Sequence, residues 1–433
     1  MFSEKSYADR RRRVLERLGN SVLVLPAAPA HRRNGDAEYP FRQESDLLYL
    51  TGFEEPESVL VLAPQLQKPF TLFVRPRDRE MEIWNGRRAG LEGAVRDFGA
   101  DQAFLIDDLK KELPKLLAGA QGVFAPFGLQ PSFDAMLLEL LSTLRARQRT
   151  GTPVPERVQD LGGLLHELRL YKDADELETL RTAAELTRRG FERALSETRP
   201  GVHEYEIEAE LLYAYRKGGG DGPGYEPIVA SGVNATILHY RTGRDVLKEG
   251  ELLLIDSGCE FDGYTADVTR TWPIGGRFSA PQAALYDLVL AAHEAAIAAV
   301  RPGQSRDAVH EVACRTLIAG LLELKLLEGT VESCWKDKSF RRFYMHGTSH
   351  WLGLDVHDAG LYYAGGAPKP LAPGMVLTVE PGLYVSADDE KAPAEYRGIG
   401  IRIEDDVLVT AEGREVLTAS IPRSRAAMER GPR

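Results

Sequence analysis

Cysteine is scarce: Cys259, Cys314 and Cys334 are the only three in 433 residues, and no two form a Cys-x-x-Cys spacing. An odd, scattered set excludes a disulfide framework and a zinc ribbon, and it points to a reducing compartment, read here as the cytoplasm. Long hydrophobic runs are missing too. No stretch approaches the ~20 apolar residues of a membrane-spanning helix, so no membrane partner is expected. One segment imitates a signal peptide, with Arg10 to Arg13 ahead of the apolar Ser21 to Ala30. The intervening Val14-Leu-Glu-Arg-Leu18 reads instead as the end of a charged amphipathic helix feeding a short buried strand. Basic charge is in deficit, at a net −11, which argues against a general nucleic-acid binder. Gly218-Gly-Gly-Asp-Gly-Pro-Gly224 lacks the Lys-Ser/Thr ending of a phosphate-binding loop and reads as a connection.

What is present is ordinary in bulk. Hydrophobic residues make up 43% and charged residues 27%, as in a soluble globular protein. A chain of 433 residues is long for one core, so two domains are expected. Residues 1–167 alternate helix-like stretches (Tyr7–Leu18, Asp107–Leu117, Ser132–Arg147) with strand-like ones (Val22–Leu25, Val59–Ala63, Thr71–Val74), the pattern of an α/β domain. No constellation of histidine, cysteine or nucleophile appears there, and His31 stands alone. The Pro-rich break Gly151-Thr-Pro-Val-Pro155 leads toward a boundary near residue 168. From Glu167 a long helix is expected, with Asp173 or Asp175 as its cap. Further helices are expected at His203–Lys217, Ala280–Val300 and Ser305–Leu327. Strands are expected at Glu251–Asp256, Met375–Val385 and Gly400–Val409. Residues 168–433 therefore read as an α+β domain with a mainly antiparallel sheet.

The chemistry gathers in this second part. Met345 to Asp358 holds three of the nine histidines, His346, His350 and His357, interleaved with glycines and apolar residues. Imidazole binds divalent metals and moves protons near neutral pH. Asp256 ends an apolar strand, and a hairpin around Glu260–Gly263 would set Asp267 directly opposite it, with Cβ atoms roughly 5 Å apart. Two carboxylates held that close need a proton or a cation between them. Glu380 and Glu404 each interrupt another apolar β run, with Arg402 on the face of Glu404, and His239 lies among apolar neighbours. Taken together, Asp256, Asp267, His350, Glu380 and Glu404 carry four carboxylates and one imidazole, a charge of −4 that two divalent cations balance. Oxygen-rich ligation with one imidazole suits Mn²⁺, with Zn²⁺, Co²⁺ and Fe²⁺ as alternatives.

Asp256…Asp267, His346-Gly-Thr-Ser-His350-Trp-Leu-Gly-Leu-Asp-Val-His357-Asp, Thr378-Val-Glu380-Pro-Gly and Arg402-Ile-Glu404-Asp resemble the pita-bread metallopeptidases, and within them the aminopeptidase P family. Tyr264-Thr-Ala-Asp-Val-Thr-Arg-Thr-Trp-Pro273 is similar as well. So are Asp36-Ala-Glu-Tyr-Pro-Phe-Arg-Gln-Glu-Ser-Asp46 and Tyr49-Leu-Thr-Gly-Phe-Glu-Glu-Pro56, and the likeness spans nearly the whole chain. It implies a pita-bread catalytic domain and a Mn²⁺ pair on the five ligands, bridged by a hydroxide nucleophile. It further implies that His239, His346 and His357 line the cleft without binding metal, with Glu380 as general base and Arg402 among the catalytic residues. The substrates implied are peptides beginning Xaa-Pro, with Tyr384 a candidate wall for the proline ring. Trp84 matches a family aromatic that closes over substrate from a neighbouring subunit, in a homo-oligomer (dimer or tetramer). The alternatives are a prolidase on the same fold and a non-catalytic peptide-binding homologue.

Overall fold

The computed structural model describes residues 2–146, 148, 151 and 153–429. The chain divides into two compact units, Met1–Leu168 and Arg169–Arg433.

The first unit is an α/β layer structure. Its sheet has six strands in the order Gln102–Leu105, Phe70–Val74, Val59–Leu62, Ser21–Pro26, Gly122–Ala125 and Arg157–Asp160. The inner hairpin contacts are antiparallel, and the flanking pairs are parallel. The central strands are buried throughout because both faces are covered, which is why they read as unbroken apolar runs. The helix expected over Ser132–Arg147 spans Pro131–Ala146; Arg147 lies outside the described residues. Trp84 sits on the short helix Arg79–Asn85 of this unit, 78% exposed beside the equally exposed Ile83.

The second unit is α+β. Every strand pair in it is antiparallel, as the sequence leads one to expect. Long helices, Ala174–Glu197, Glu204–Lys217, Ala280–Ala299 and Arg306–Glu323, pack through apolar stripes that share one core with these strands. Two departures from expectation position the site. The helix expected to open at Glu167 is two helices, Gly162–Leu170 and Ala174–Glu197. The chain breaks at Lys172, whose buried ammonium bonds Asp358 at 2.8 Å, and Asp173 restarts it in a reciprocal capping box with Glu176. The two late β segments also break, each at its acid. Val376–Val379 and Gly382–Val385 flank Glu380-Pro381, while Ile399–Arg402 and Asp405–Thr410 flank Ile403-Glu404. Proline has no N–H for a ladder, which accounts for the first break.

Candidate metal centre

Leu252–Asp256 is the middle strand of its sheet, between Ile228–Ser231 and Thr269–Pro273. Its apolar residues are buried on both faces, so the strand delivers Asp256 to its end as a nearly buried carboxylate. The hairpin register differs from the expected one. Asp256 pairs with Thr269, not Asp267, and Phe261 pairs with Tyr264. The loop is a two-residue turn in which Asp262 and Gly263 adopt φ of 47° and 79°, the left-handed geometry that Asp-Gly favours in hairpins. The register thereby moves by two residues, and such a shift keeps each side chain on its face. Asp256 and Asp267 still converge: the Tyr225 hydroxyl lies 2.6 Å from an oxygen of each.

Glu380 and Glu404 stand where their strands break, freed from the pleat. The Glu380 N–H donates to the Thr348 carbonyl at 2.9 Å and the Glu404 N–H to the Thr269 carbonyl at 3.1 Å, so both turns are pinned. The Thr269 hydroxyl donates to Glu404 Oε2 at 2.7 Å and accepts from Arg402 Nε at 2.9 Å. Arg402 then spans the floor, donating to Asp256 Oδ2 at 2.6 Å and to the Tyr384 hydroxyl at 2.9 Å.

The histidine segment runs alongside Val376–Val379, joined by a Trp351–Leu377 bridge and by hydrogen bonds between His350 and Thr378. His350 Nδ1 donates to the Trp351 carbonyl at 3.0 Å, which leaves Nε2 3.3 Å from Asp267 Oδ2 and 3.6 Å from Glu380 Oε1. Fixing one ring nitrogen in this way orients the other as a ligand. The His357 ring packs edge-on against His350, with centroids 4.4 Å apart. His346 Nδ1 is 3.4 Å from Glu380 Oε2, and its Nε2 accepts from the Tyr384 hydroxyl at 2.8 Å. His239 lines the same cleft, of about 500 Å³, with Asp256, Asp267, His350, Glu380 and Glu404. Tyr384 does not form its wall as expected. Only 2% exposed, it lies behind His346 and Arg402 and spends its hydroxyl on both. Trp84 belongs to the other unit.

Burial dominates the electrostatics. It raises the carboxyl pKa values of Asp256, Glu380 and Glu404, a rise that Asp267 reinforces in all three. Burial disfavours a charged His350, but Asp267 and Glu380 override it and lift its pKa to about 9. His346 goes the other way, pushed down to about 3 by burial and by Arg402. A pocket that crowds acids until they favour protonation is built for a cation. Asp267, His350 and Glu404 offer ligand atoms all within 4.8 Å of one another, while Asp256 and Glu380 border the same space. The donor set fits a divalent metal.

Sequence reasoning missed several contributors. Tyr225, just past the glycine-rich connection, ties the two aspartates. Asp406 accepts the Asp267 N–H at 3.1 Å, and Asp358 anchors the His357 segment to Arg169 and Lys172. None carries a periodic or spacing signal, since each matters only through a partner distant in sequence.

Residues 178–411 match the model of metallopeptidase family M24, and residues 7–124 match the aminopeptidase P N-terminal domain. The chain belongs to metallopeptidase family M24 and is a peptide hydrolase. Its full-length relatives narrow the class. It is similar to the Xaa-Pro aminopeptidase of Escherichia coli, 41% identical over 99% of this chain and 97% of that one. It is also similar to Xaa-Pro aminopeptidase 3 of Homo sapiens, 34% identical over 98% and 84%. Among solved structures, aminopeptidase PepP of Pseudomonas aeruginosa superposes with a TM-score of 0.97 at 46% identity, covering 99% of this chain and 97% of that one.

Proposed function

We propose that the chain is an Xaa-Pro aminopeptidase, a metal-dependent exopeptidase that releases the first residue from peptides with proline second. One observation carries this reading: Asp256, Asp267, Glu380, Glu404 and His350 converge in one cleft that Ile228, Leu238, Val356 and three further histidines also line. Asp256, Asp267, His350, Glu380 and Glu404 would hold two divalent ions, with Mn²⁺ best suited to their oxygen-rich donors. Those ions would supply Lewis acidity and lower the pKa of water toward neutrality.

The chain's own residues do the rest. The acid cluster attracts the substrate's amino group and so restricts cleavage to the first bond. Glu380, with its pKa raised by burial, takes a proton from water and returns it to the departing proline nitrogen. His239 and His357 face the cleft and stabilise the developing oxyanion. His346, held neutral, accepts from Tyr384 and keeps that corner from repelling the substrate's amino group. Arg402 fixes Asp256 and neutralises part of its charge. Ile228, Leu238 and Val356 are the apolar side chains of the cleft and take over the role foreseen for Tyr384 as a proline wall. Proline suits such a wall because its amide has no N–H to leave unpaired; an ordinary peptide bond there would cost ~1–3 kcal/mol.

We place the enzyme in the cytoplasm, in keeping with three free, buried cysteines, and read it as a homo-oligomer whose exposed Trp84 helix meets another copy. Among the described residues, no helix is long and apolar enough to cross a membrane. The Mn²⁺-loaded enzyme should cleave Ala-Pro-Ala about ten- to a hundredfold faster, in kcat/KM, than Ala-Ala-Ala. Equal rates would reject the proline requirement, and a marked preference for the dipeptide Ala-Pro would make it a prolidase.

A further inference from the structure

Beside the acid cleft lies a second chamber of about 270 Å³, and the two share Arg306, His346, Gly347 and Ser349 as a common wall. The sign of the excess charge changes across it. The cleft sets five carboxylates, Glu226, Asp256, Asp267, Glu380 and Glu404, against Arg241, Arg306 and Arg402, whereas the chamber adds Arg341 and His310 to Arg306, with Asp307 as its one acid. That acid is engaged, accepting from the Tyr363 hydroxyl at 2.7 Å and lying 3.5 Å from Arg306. Arg306 is held in place: its guanidinium stacks 4.4 Å over the Tyr362 ring and donates to the Ser349 carbonyl at 3.2 Å. It is also the first residue of the 18-residue helix Arg306–Glu323, whose N-terminal turn therefore borders the chamber and favours negative charge there. A neighbouring hollow that shares Asp307, His310 and Arg341 adds Lys336 and Lys338, with Glu311 opposing them.

A separate observation points to a ligand. The Ser349 hydroxyl, on a residue 95% buried that lines both spaces, has no hydrogen-bond partner among the described residues. Buried hydroxyls are nearly always paired, so this one awaits a partner.

Resting on the Xaa-Pro reading above, we infer that this chamber is an anionic-group subsite. It receives a carboxylate of the leaving peptide beyond proline through Arg306, Arg341 and the Ser349 hydroxyl. The charge reversal orients the substrate: its ammonium end is drawn to the acids and its carboxylate past His346 to the arginines. The carboxylate can come from the C-terminus or from an acidic side chain, and the two sources are separable.

The test compares kcat/KM of the Mn²⁺-loaded enzyme on Ala-Pro-Ala against Ala-Pro-Ala-amide, and on Ala-Pro-Glu-amide against Ala-Pro-Gln-amide. The wild type should favour the acid of at least one pair by about tenfold, the worth of one charge-assisted hydrogen bond, with the preference shrinking as salt is raised. The pair that responds identifies the source. Arg341→Gln should bring that ratio close to one, and Arg341→Lys should retain most of it. A variant that merely perturbs the fold would slow both members of a pair alike and leave the ratio standing, which overturns the inference. Equal cleavage of acid and neutral peptides by the wild type overturns it too. Failure to cleave any Ala-Pro peptide would instead sink the Xaa-Pro reading, and this subsite with it.

Discussion

At the scale of single residues, Asp358 shows how a side chain outside the chemistry controls one inside it. It follows His357 directly and sits buried between Arg169, at 2.5 Å, and Lys172, at 2.8 Å. Burial alone would raise its pKa, but these two cations prevail and hold it at about 2. In an unfolded chain the same group titrates at 3.8. Its contribution is therefore complete above pH 4 and is lost as the pH falls toward 2, about 2 kcal/mol in all. Asp358→Asn leaves two cations facing a neutral amide and should lower stability by ~3–5 kcal/mol. Denaturant unfolding between pH 2 and 5 checks both points: the variant should be weaker at pH 5 and show a flatter acid limb. An unchanged acid limb would mean that another group carries the dependence.

At the scale of elements, the active hairpin depends on a close approach. A Cβ at Gly258 would lie 1.6 Å from the Ala266 carbonyl oxygen, so only glycine lets the strand carrying Asp256 pass the segment carrying Asp267. Gly258→Ala must push the two apart. The expected result is a loss of metal affinity on the order of 10- to 100-fold, as when residues supporting a metal ligand are disturbed, together with a lower Tm. Metal titration of the variant measures the first; wild-type affinity would show that the hairpin relaxes elsewhere. The strand breaks at Glu380 and Glu404 follow the same logic, since a carboxylate left in register on a pleated strand would point into packed core.

At the scale of the whole molecule, the crowded acids link stability, pH and metal. Glu380, Glu404 and Asp256 have pKa values raised by folding, and His350 is raised to about 9. A group raised in the folded state stabilises below its unfolded pKa and loses that effect as the pH rises through its folded one. Metal-free protein should thus weaken from the ordinary carboxylate range upward, while metal-loaded protein should not. At a fixed metal concentration the protons on these ligands compete with the metal, so the gain in Tm, which follows [L]/Kd, should be larger at pH 8 than at pH 6. Binding must also displace the His350 proton at neutral pH. Calorimetric heats of Mn²⁺ binding should then vary with the ionisation enthalpy of the buffer; heats independent of buffer would contradict this.

The sequence by itself carried the residue types of the centre, because a carboxylate ending Leu252–Ile255 or interrupting Val376–Val379 is conspicuous against an apolar run. It carried the antiparallel character of the second unit and the α/β alternation of the first, both written in local periodicity. The hairpin is legible too, but the sequence suggests a four-residue loop over Glu260–Gly263 where the strands close on the two residues Asp262-Gly263; the two-residue period of the strand keeps each acid on its face all the same. Only the tertiary structure decided what lies between segments far apart in the chain. It put Tyr225 between Asp256 and Asp267, set Tyr384 behind His346 instead of in the cleft, and brought Arg306 and Arg341 together in a chamber adjoining the acids. Local pattern fixes which face a side chain takes; which distant group it meets there is settled by packing, and no spacing along the chain encodes it.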